Sequence, residues 1–251
     1  MEKDYIDEYI NQSEVQVELI RCRYNFGLSQ VEVILNNSEE EINYNWLDIG
    51  SNLGMGLTDI REDVNIISTD LDHRYLERQD NAFPKVNFDA QYLPFSNDSC
   101  DVISCFETIE HIELNKVYQL LQEFQRVLKP DGILLLSTPN KEINGRKKMS
   151  EDHKQEFSHI ELMLLLDRFN FDVQDEYGQN FVKDNNLLHQ LFLDLRQNIV
   201  VRHIYNTFPS FVVKTIRNKS LNCFGKGEIR KKQSGETERI MYFVCRKKRL
   251  F

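Results

Sequence analysis

The sequence predicts an α/β protein in which a mostly parallel, doubly wound sheet carries helices on both faces. Strand-like and helix-like segments alternate along the chain, and this alternation favours a parallel sheet. The first predicted strand runs directly into a glycine-containing loop, "WLDIGSNLGMGL" at 46–57, of the kind that holds a nucleotide-like cofactor. The 251 residues are enough for one large α/β domain, so we predict a single domain over 1–251.

The opening residues 1–40 are predicted to be a helical segment with a break near Gly27. An amphipathic helix is expected over 117–128, where apolar residues recur at 3.6-residue spacing until "KPDG" ends it. Ser158 and Glu161 predict a capping box for a later helix. Seven strands are expected, at 46–49, 65–69, 86–88, 101–106, 133–137, 171–174 and 240–244.

The late part of the chain departs from this alternation. Residues 178–236 carry apolar side chains at helical spacing, interrupted by "NTFPSF", and predict a helical insertion that caps the substrate or forms an interface. The insertion follows a cofactor-binding core at 41–177 and precedes a last strand with a basic tail at 237–251. Within it, 187–220 is a candidate surface for a homodimer or for contact with a membrane.

Charge and composition narrow the functional class. The net charge is −9, but 213–251 carries +9 and the first 212 residues therefore carry −18. The basic tail is most simply a solvated face, although it could also meet nucleic acid, a membrane surface or the protein's own acidic body. No apolar run approaches the roughly 20 residues that cross a bilayer, and the N-terminus is acidic. Five cysteines without a C-x-x-C pair predict reduced thiols in a cytoplasmic protein.

Three features of the first three strands fit an adenosine-containing cofactor. The loop at 50–56 is expected to open a helix, with Asn52 replacing a glycine because asparagine tolerates a left-handed conformation. Asp70 ends the second strand and can accept from both ribose hydroxyls, while Asp89 follows the third and can accept from an adenine amino group. Asp48, beneath the loop, would repel a pyrophosphate but suits an ammonium group. The sequence therefore favours S-adenosylmethionine over a dinucleotide.

Four ordered blocks carry a family resemblance: "WLDIGSNLGMG", "STDLD", "FDAQYLPFSNDSCDVISCFETIEHI" and "RVLKPDGILLLSTPN". Over about 20–175 the chain resembles the class I S-adenosylmethionine-dependent methyltransferases, most closely the type 11 and 23 group. "RYNF" at 23–26 is similar to a segment in members from sugar and cell-surface glycan pathways. The resemblance implies a Rossmann-like, mostly parallel seven-stranded sheet with a final antiparallel strand after the insertion.

The same resemblance assigns cofactor contacts. The loop residues would meet the amino-acid end of the cofactor, Asp70 its ribose, and Asp89 with Ala90 its adenine. The cofactor-binding residues expected in this way are Asp48, Gly50, Ser51, Asn52, Gly54, Asp70, Leu71, Asp89, Ala90 and Glu107.

The stretch "CFETIEHIE" after the fourth strand holds the most chemically active side chains, and ligands of such sheets bind at the carboxyl ends of the strands. One interpretation is structural: acids at a helix start near Thr108 favour the helix dipole. A second makes His111, His153 and Glu110 the catalytic groups, with a histidine as general base toward a hydroxyl. A third is a metal site on Glu107, Glu110, His111 and His153, as the resemblance to small-RNA 3′-terminal 2′-O-methyltransferases implies.

We therefore predict a methyltransferase that acts, without a metal, on an oxygen or nitrogen of a small hydroxylated acceptor such as a sugar, glycan precursor or natural product. The alternative is a metal-dependent enzyme acting on RNA 3′ ends, which the acidic body would repel and the basic tail would favour. A further alternative is a cofactor-binding protein without catalysis. Arg23 and Tyr24 are expected either to close over the ligand or to lie on the surface.

Overall fold

The computed structural model describes residues 14–35, 44–58, 60, 64–79, 83–144, 152–183, 228–232 and 236–248. Its helices are α1 (Glu14–Leu35), α2 (His73–Glu77), α3 (Leu114–Val127), α4 (Lys141–Asn144) and α5 (His159–Arg168). Its strands are β1 (Asn45–Ile49), β2 (Asn65–Asp70), β3 (Lys85–Asn87), β4 (Cys100–Phe106), β5 (Leu128–Pro139), β6 (Phe171–Lys183) and β7 (Glu236–Lys247). No described helix is long and apolar enough to cross a membrane.

The seven strands form one sheet in the order β3-β2-β1-β4-β5-β7-β6. Strands β1 to β5 pair in parallel, and β7 pairs antiparallel with both β5 and β6. This arrangement confirms the predicted fold class, including the final antiparallel strand. All seven predicted strands are present, and most extend by one or more residues beyond the expected bounds.

Both faces of the sheet are covered by apolar clusters because alternate strand residues point to opposite sides. On β5, Leu134 and Leu136 belong to the cluster beneath α3 and α5, whereas Ile133 and Leu135 belong to the cluster beneath α1. The buried stripe of α3 follows the predicted 3.6-residue spacing. The predicted capping box of α5 is present at Ser158.

Helix α1 is continuous, so the predicted break near Gly27 is wrong. The glycine is explained by packing. A Cβ at Gly27 would stand 2.9 Å from Leu135 Cδ1 and 3.0 Å from the Tyr242 hydroxyl, closer than side chains normally pack. Gly27 therefore allows α1 to approach the sheet.

Two further expectations about local structure are wrong. The loop after β1 opens no helix over 51–58 but forms successive turns, in which the Gly54 and Leu57 amides donate to the carbonyls three residues earlier. Strand β6 continues through Lys183 and pairs with β7 from Glu236 onward, so the stretch from 178 to 183 is strand and not helical insertion. The candidate surface at 187–220 lies outside the described residues.

Three lysines of the basic region 213–251 are paired with acidic side chains elsewhere in the protein. Each of three lysine ammonium groups lies within 2.5–2.6 Å of a carboxylate oxygen, and the pairs are Lys231–Asp175, Lys247–Asp98 and Lys248–Asp167. The sequence left three partners open for this basic region: nucleic acid, a membrane surface and the protein's own acidic body. The structure shows contacts with the acidic body.

Candidate functional site

The loop after β1 is bent by three left-handed residues: Gly50 with φ 71°, Asn52 with φ 51° and Gly54 with φ 67°. The expected left-handed conformation of Asn52 is therefore present. A Cβ at Gly50 would stand 2.5 Å from the Thr108 hydroxyl, so the absence of a side chain lets the loop approach the residues after β4. This cradle at the carboxyl edge of the sheet fits a ligand held by backbone groups.

Asp70 lies at the end of β2 and supports this loop. Its Oδ2 accepts from the Asn52 amide at 3.0 Å, and its Oδ1 accepts from the Asp72 amide at 2.9 Å. Burial raises the pKa of Asp70, while these amide donors oppose the shift. The neighbouring Leu71 side chain is 71% exposed, an apolar surface beside the position expected for the nucleoside.

Side chains of α3 hold the segment that follows β3 in place. The Asp89 carboxylate accepts from the Gln91 amide at 3.0 Å. Further along, Glu123 accepts from the Leu93 amide at 2.8 Å, and Arg126 donates to the Leu93 carbonyl at 2.9 Å. At its start the segment is tied to the end of β2, because Asn87 Nδ2 donates to the Asp70 and Leu71 carbonyls at 2.8 Å.

Asp48 is fully buried, at 0% exposure, beneath the loop. Its carboxylate accepts from the Tyr24 hydroxyl at 2.9 Å and from the Ser104 hydroxyl at 2.5 Å. Burial raises the pKa of Asp48 to about 7. Asp48 is not among the side chains that line the cavity described next, so its expected contact with an ammonium group stays a prediction.

A cavity of about 290 Å³ lies between the loop and α1. Arg23 and Tyr24, only 8% and 5% exposed, form part of its wall, so the expectation that they lie on the surface is wrong. Arg23 Nε donates to Gln179 Oε1 at 2.9 Å, and its Nη2 lies 3.9 Å from Glu107 Oε2. The polar and loop residues that line the cavity include Gln16, Arg23, Gly50, Ser51, Asn52, Glu107 and Asn180.

Sequence reasoning missed the contribution of β6 and β7 to this wall. Gln179 holds Arg23, and Asn180 and Ile240 line the cavity. The predicted sixth strand ended at 174, although the β-favouring Tyr177, Phe181 and Val182 continue the strand-like composition. Those three residues were the available signal for a longer strand.

The residues after β4 form a second, mostly buried cluster. The Glu107 backbone is left-handed, with φ 48°, and its Oε1 accepts from the Ser137 hydroxyl at 3.0 Å. Glu110 is 1% exposed and accepts from the Thr138 hydroxyl at 3.0 Å. Burial, reinforced by the charge of Glu107, raises the pKa of Glu110 well above its usual range. Instead of the α-helix expected from Thr108, one 3₁₀ turn spans Ile109–His111.

His111 and His153 face each other edge to face, with ring centroids 5.0 Å apart. His111 Nδ1 lies 3.1 Å from the Asp152 carbonyl oxygen, and His153 Nδ1 lies 2.9 Å from Glu156 Oε1. Because both partners are acceptors, each Nδ1 carries the proton, and Nε2 is the nitrogen left to act. Burial lowers the pKa of His111, which favours the neutral ring.

The structure brings three of the four expected metal ligands together. One ligand atom from each of Glu110, His111 and His153 lies within 4.8 Å of the others. Glu107 is not part of this group among the described residues, although its charge acts on Glu110. Histidines whose Nδ1 hydrogen is held by a carbonyl or carboxylate are oriented as metal-binding histidines commonly are.

Comparisons with known proteins agree with this geometry. Residues 47–136 match the family model described as a methyltransferase domain. A protein of Mycolicibacterium smegmatis named "Probable S-adenosylmethionine-dependent methyltransferase" is 33% identical over 140 residues, 53% of this chain and 53% of that protein. The aligned segment therefore spans about half the length of that relative.

Solved structures share the fold. A S-adenosylmethionine-dependent methyltransferase from Archaeoglobus fulgidus has a TM-score of 0.58 at 17% identity, covering 92% of this chain and 94% of the other. A S-adenosylmethionine-dependent methyltransferase from Thermotoga maritima has the same TM-score and identity and covers 97% of both chains. The strand order, the loop after β1 and the family model matched over residues 47–136 agree with the class I S-adenosylmethionine-dependent methyltransferase fold that the sequence predicts.

Proposed function

We propose that this protein transfers the methyl group of S-adenosylmethionine to an oxygen, or alternatively a nitrogen, of a small hydroxylated acceptor such as a sugar, glycan precursor or natural product. The observation that supports this proposal is the cavity, whose wall runs from the loop after β1 to Glu107. One cavity thus connects the cofactor loop with the start of the ionisable cluster after β4, and its volume of about 290 Å³ is of the order found in small-molecule sites.

The residues present fit the cofactor. The cradle at 50–54 would hold its amino-acid end by backbone contacts, and Arg23 and Glu107 offer opposite charges to a zwitterion. Asp70 and Asp89 would accept from the ribose and the adenine, beside the exposed Leu71. When bound, the cofactor supplies an activated methyl group, so the protein's main task is to place the acceptor oxygen or nitrogen in line with it.

The protein groups available for the acceptor lie next to Glu107. His111 has its Nδ1 hydrogen held by the Asp152 carbonyl, which leaves Nε2 free to receive a proton from a hydroxyl. His153 offers the same arrangement, with its Nδ1 at the Glu156 carboxylate. Neither histidine lines the described cavity, so we place the acceptor at the Glu107 end of that space, between it and the histidine pair.

A second candidate is metal-dependent methylation, as on the 3′ end of RNA. The observation that favours it is the group formed by Glu110, His111 and His153. Two imidazoles and a carboxylate are suitable ligands for a divalent ion that would orient a diol. The RNA part of this candidate is weakened because Lys231, Lys247 and others of the tail are paired with the protein's own carboxylates.

The test is transfer of labelled methyl from S-adenosylmethionine into two acceptor pools, each with and without EDTA. One pool contains short single- and double-stranded RNAs, and the other is a polar extract rich in sugars, nucleotide sugars and amines. Label in the polar extract that EDTA leaves unchanged supports the first proposal. Label in RNA that EDTA abolishes supports the second candidate, and cofactor binding without label in either pool points to a cofactor-binding protein without catalysis.

A cytoplasmic location is part of this proposal. It is supported by the free thiols of all four cysteines in the described segments, of which Cys100, Cys105 and Cys245 are buried. Contact with a membrane or a second subunit through 187–220 stays a prediction.

A further inference from the structure

A glutamine outside the predicted site reaches beneath the cofactor loop from the end of α2. Gln79 is 5% exposed, and its Nε2 donates to the Asn52 carbonyl at 2.5 Å and to the Ser51 hydroxyl at 3.0 Å. Its Oε1 accepts from the Ser68 hydroxyl at 2.8 Å. Lys85 Nζ donates to the Gln79 carbonyl at 2.6 Å and ties down the backbone of the same residue.

The contacts of the Gln79 side chain meet at Asn52, the loop position at which a glycine would be expected. Asn52 adopts φ 51°, a conformation that glycine reaches freely and that asparagine adopts only at a modest steric cost. Both of its peptide groups are held, since its amide donates to Asp70 Oδ2 at 3.0 Å and its carbonyl accepts from Gln79. Its own Oδ1 accepts from the Leu53 amide at 2.7 Å and completes the turn.

We propose that Gln79 is a positioning residue for the cofactor, because it holds Asn52 in the left-handed conformation that the binding loop requires. A glycine at 52 would adopt the left-handed conformation without steric cost. With asparagine at this position, the hydrogen bond from the Gln79 amide stabilises that conformation instead. Removal of the amide leaves the partly buried Asn52 carbonyl without this donor, and the loop then relaxes toward conformations that asparagine prefers. The inference rests on the proposed function only in taking S-adenosylmethionine as the ligand of this loop.

The dependence of Gln79 on residue 52 gives a specific test. We would compare the wild type, Gln79→Met, Asn52→Gly and the double variant, measuring the Kd for S-adenosylhomocysteine by isothermal titration calorimetry. Gln125→Met is the matched control, since Gln125 also donates from its Nε2 to a backbone carbonyl, that of Asn170 at 2.7 Å, but away from the loop. A purely structural role for Gln79 would produce the same loss whichever residue occupies position 52.

We expect Gln79→Met to weaken binding by up to about tenfold, the effect of losing one hydrogen bond of typical net strength. In the Asn52→Gly background the same substitution should change Kd by less than about threefold, because glycine adopts the left-handed conformation without steric cost. Equal losses in the two backgrounds, or no loss in either, would overturn the inference. Gln125→Met should leave the Kd unchanged.

A second substitution covers the case in which Gln79→Met does not fold. Gln79→Glu keeps the side-chain length and the acceptor for Ser68 but replaces the amide that donates to the Asn52 carbonyl. It should reproduce the weaker binding and the rescue by Asn52→Gly, and failure to do so contradicts the inference. A wild type that binds no S-adenosylhomocysteine would count against the proposed function instead, so the two failures are distinguishable.

Discussion

The two sides of the candidate site are built from different kinds of interaction. On the cofactor side, the loop after β1 is held mainly by backbone amides and by neutral side chains such as Ser51 and Gln79, and Asp70 is the one carboxylate described as bonding to it. On the side after β4, Glu107, Glu110 and His111 are ionisable groups crowded together and mostly buried. Backbone conformation therefore determines the shape of the cofactor loop, whereas ionisable side chains determine the chemistry beside it. The two sides should therefore respond differently to mutation and to pH.

The largest expected effect is on the acceptor side. His111→Ala should lower kcat by about 10²–10⁴-fold for a hydroxyl acceptor, because it removes the proposed general base. The Kd for S-adenosylhomocysteine should stay within about threefold of the wild type, since His111 does not line the cavity. Steady-state kinetics and calorimetry measure the two quantities.

His159→Ala is the matched control for this variant, since His159 is paired with Glu176 on the surface, away from the cluster. Its kcat should remain that of the wild type. If His111→Ala instead weakened cofactor binding and kept kcat, His111 would belong to the cofactor side and the contrast between the two sides would be lost.

The second prediction concerns Asp48, an ionisable group that is fully buried beneath the loop. Its pKa is raised to about 7 in the folded protein from 3.8, so the folded state keeps a proton that the unfolded state releases between these values. The free energy of unfolding should therefore fall as pH rises from about 4 to about 7, by about 4 kcal/mol at most from this residue. Below pH 4 both states are protonated and the contribution is complete.

Urea denaturation of the wild type and Asp48→Asn at several pH values measures this effect. The substituted amide does not titrate, so the stability of Asp48→Asn should fall less steeply over the same interval. Parallel pH profiles for the two proteins would show that Asp48 is ionised in both states and that burial does not control it.

The sequence predicted the features that depend on local patterns and missed those that depend on contacts between distant residues. The positions of Asp70, Asp89 and the left-handed Asn52 follow from local strand and turn patterns. These patterns also predicted the succession of strands along the chain, whereas the final antiparallel strand came from the family resemblance. The wall formed by Arg23 and Gln179 joins residues 156 positions apart. No local pattern predicts that contact, because it depends on how α1 docks against the far end of β6. Gln79 was missed for a related reason, since its partner Asn52 lies 27 positions away.

The third prediction returns to the cofactor side. Asp70→Ala should weaken S-adenosylhomocysteine binding by about 100-fold, because it removes the expected ribose acceptor and the acceptor of the Asn52 amide. Asp101→Ala is the control, since Asp101 accepts from Lys129 and from the Asn45 amide at the opposite edge of the sheet. If Asp70→Ala bound S-adenosylhomocysteine as tightly as the wild type, Asp70 would hold neither the ribose nor the binding loop, and its assignment would be wrong.

The smallest expected effect tests whether the basic tail belongs to the protein body or to an acceptor. Lys247 is largely buried and donates both to Asp98 and to the Leu128 carbonyl, so Lys247→Met should lower the free energy of unfolding by about 1 kcal/mol. Lys231→Met removes an exposed pair, which water screens, and should therefore lower the free energy of unfolding less than Lys247→Met does. If these lysines act only within the protein, neither substitution changes the retention of the protein on single-stranded RNA in a filter-binding assay. A tail that served RNA would give the reverse pattern, with stability unchanged and retention lost, and would add a third, nucleic-acid-binding region to the two sides compared above.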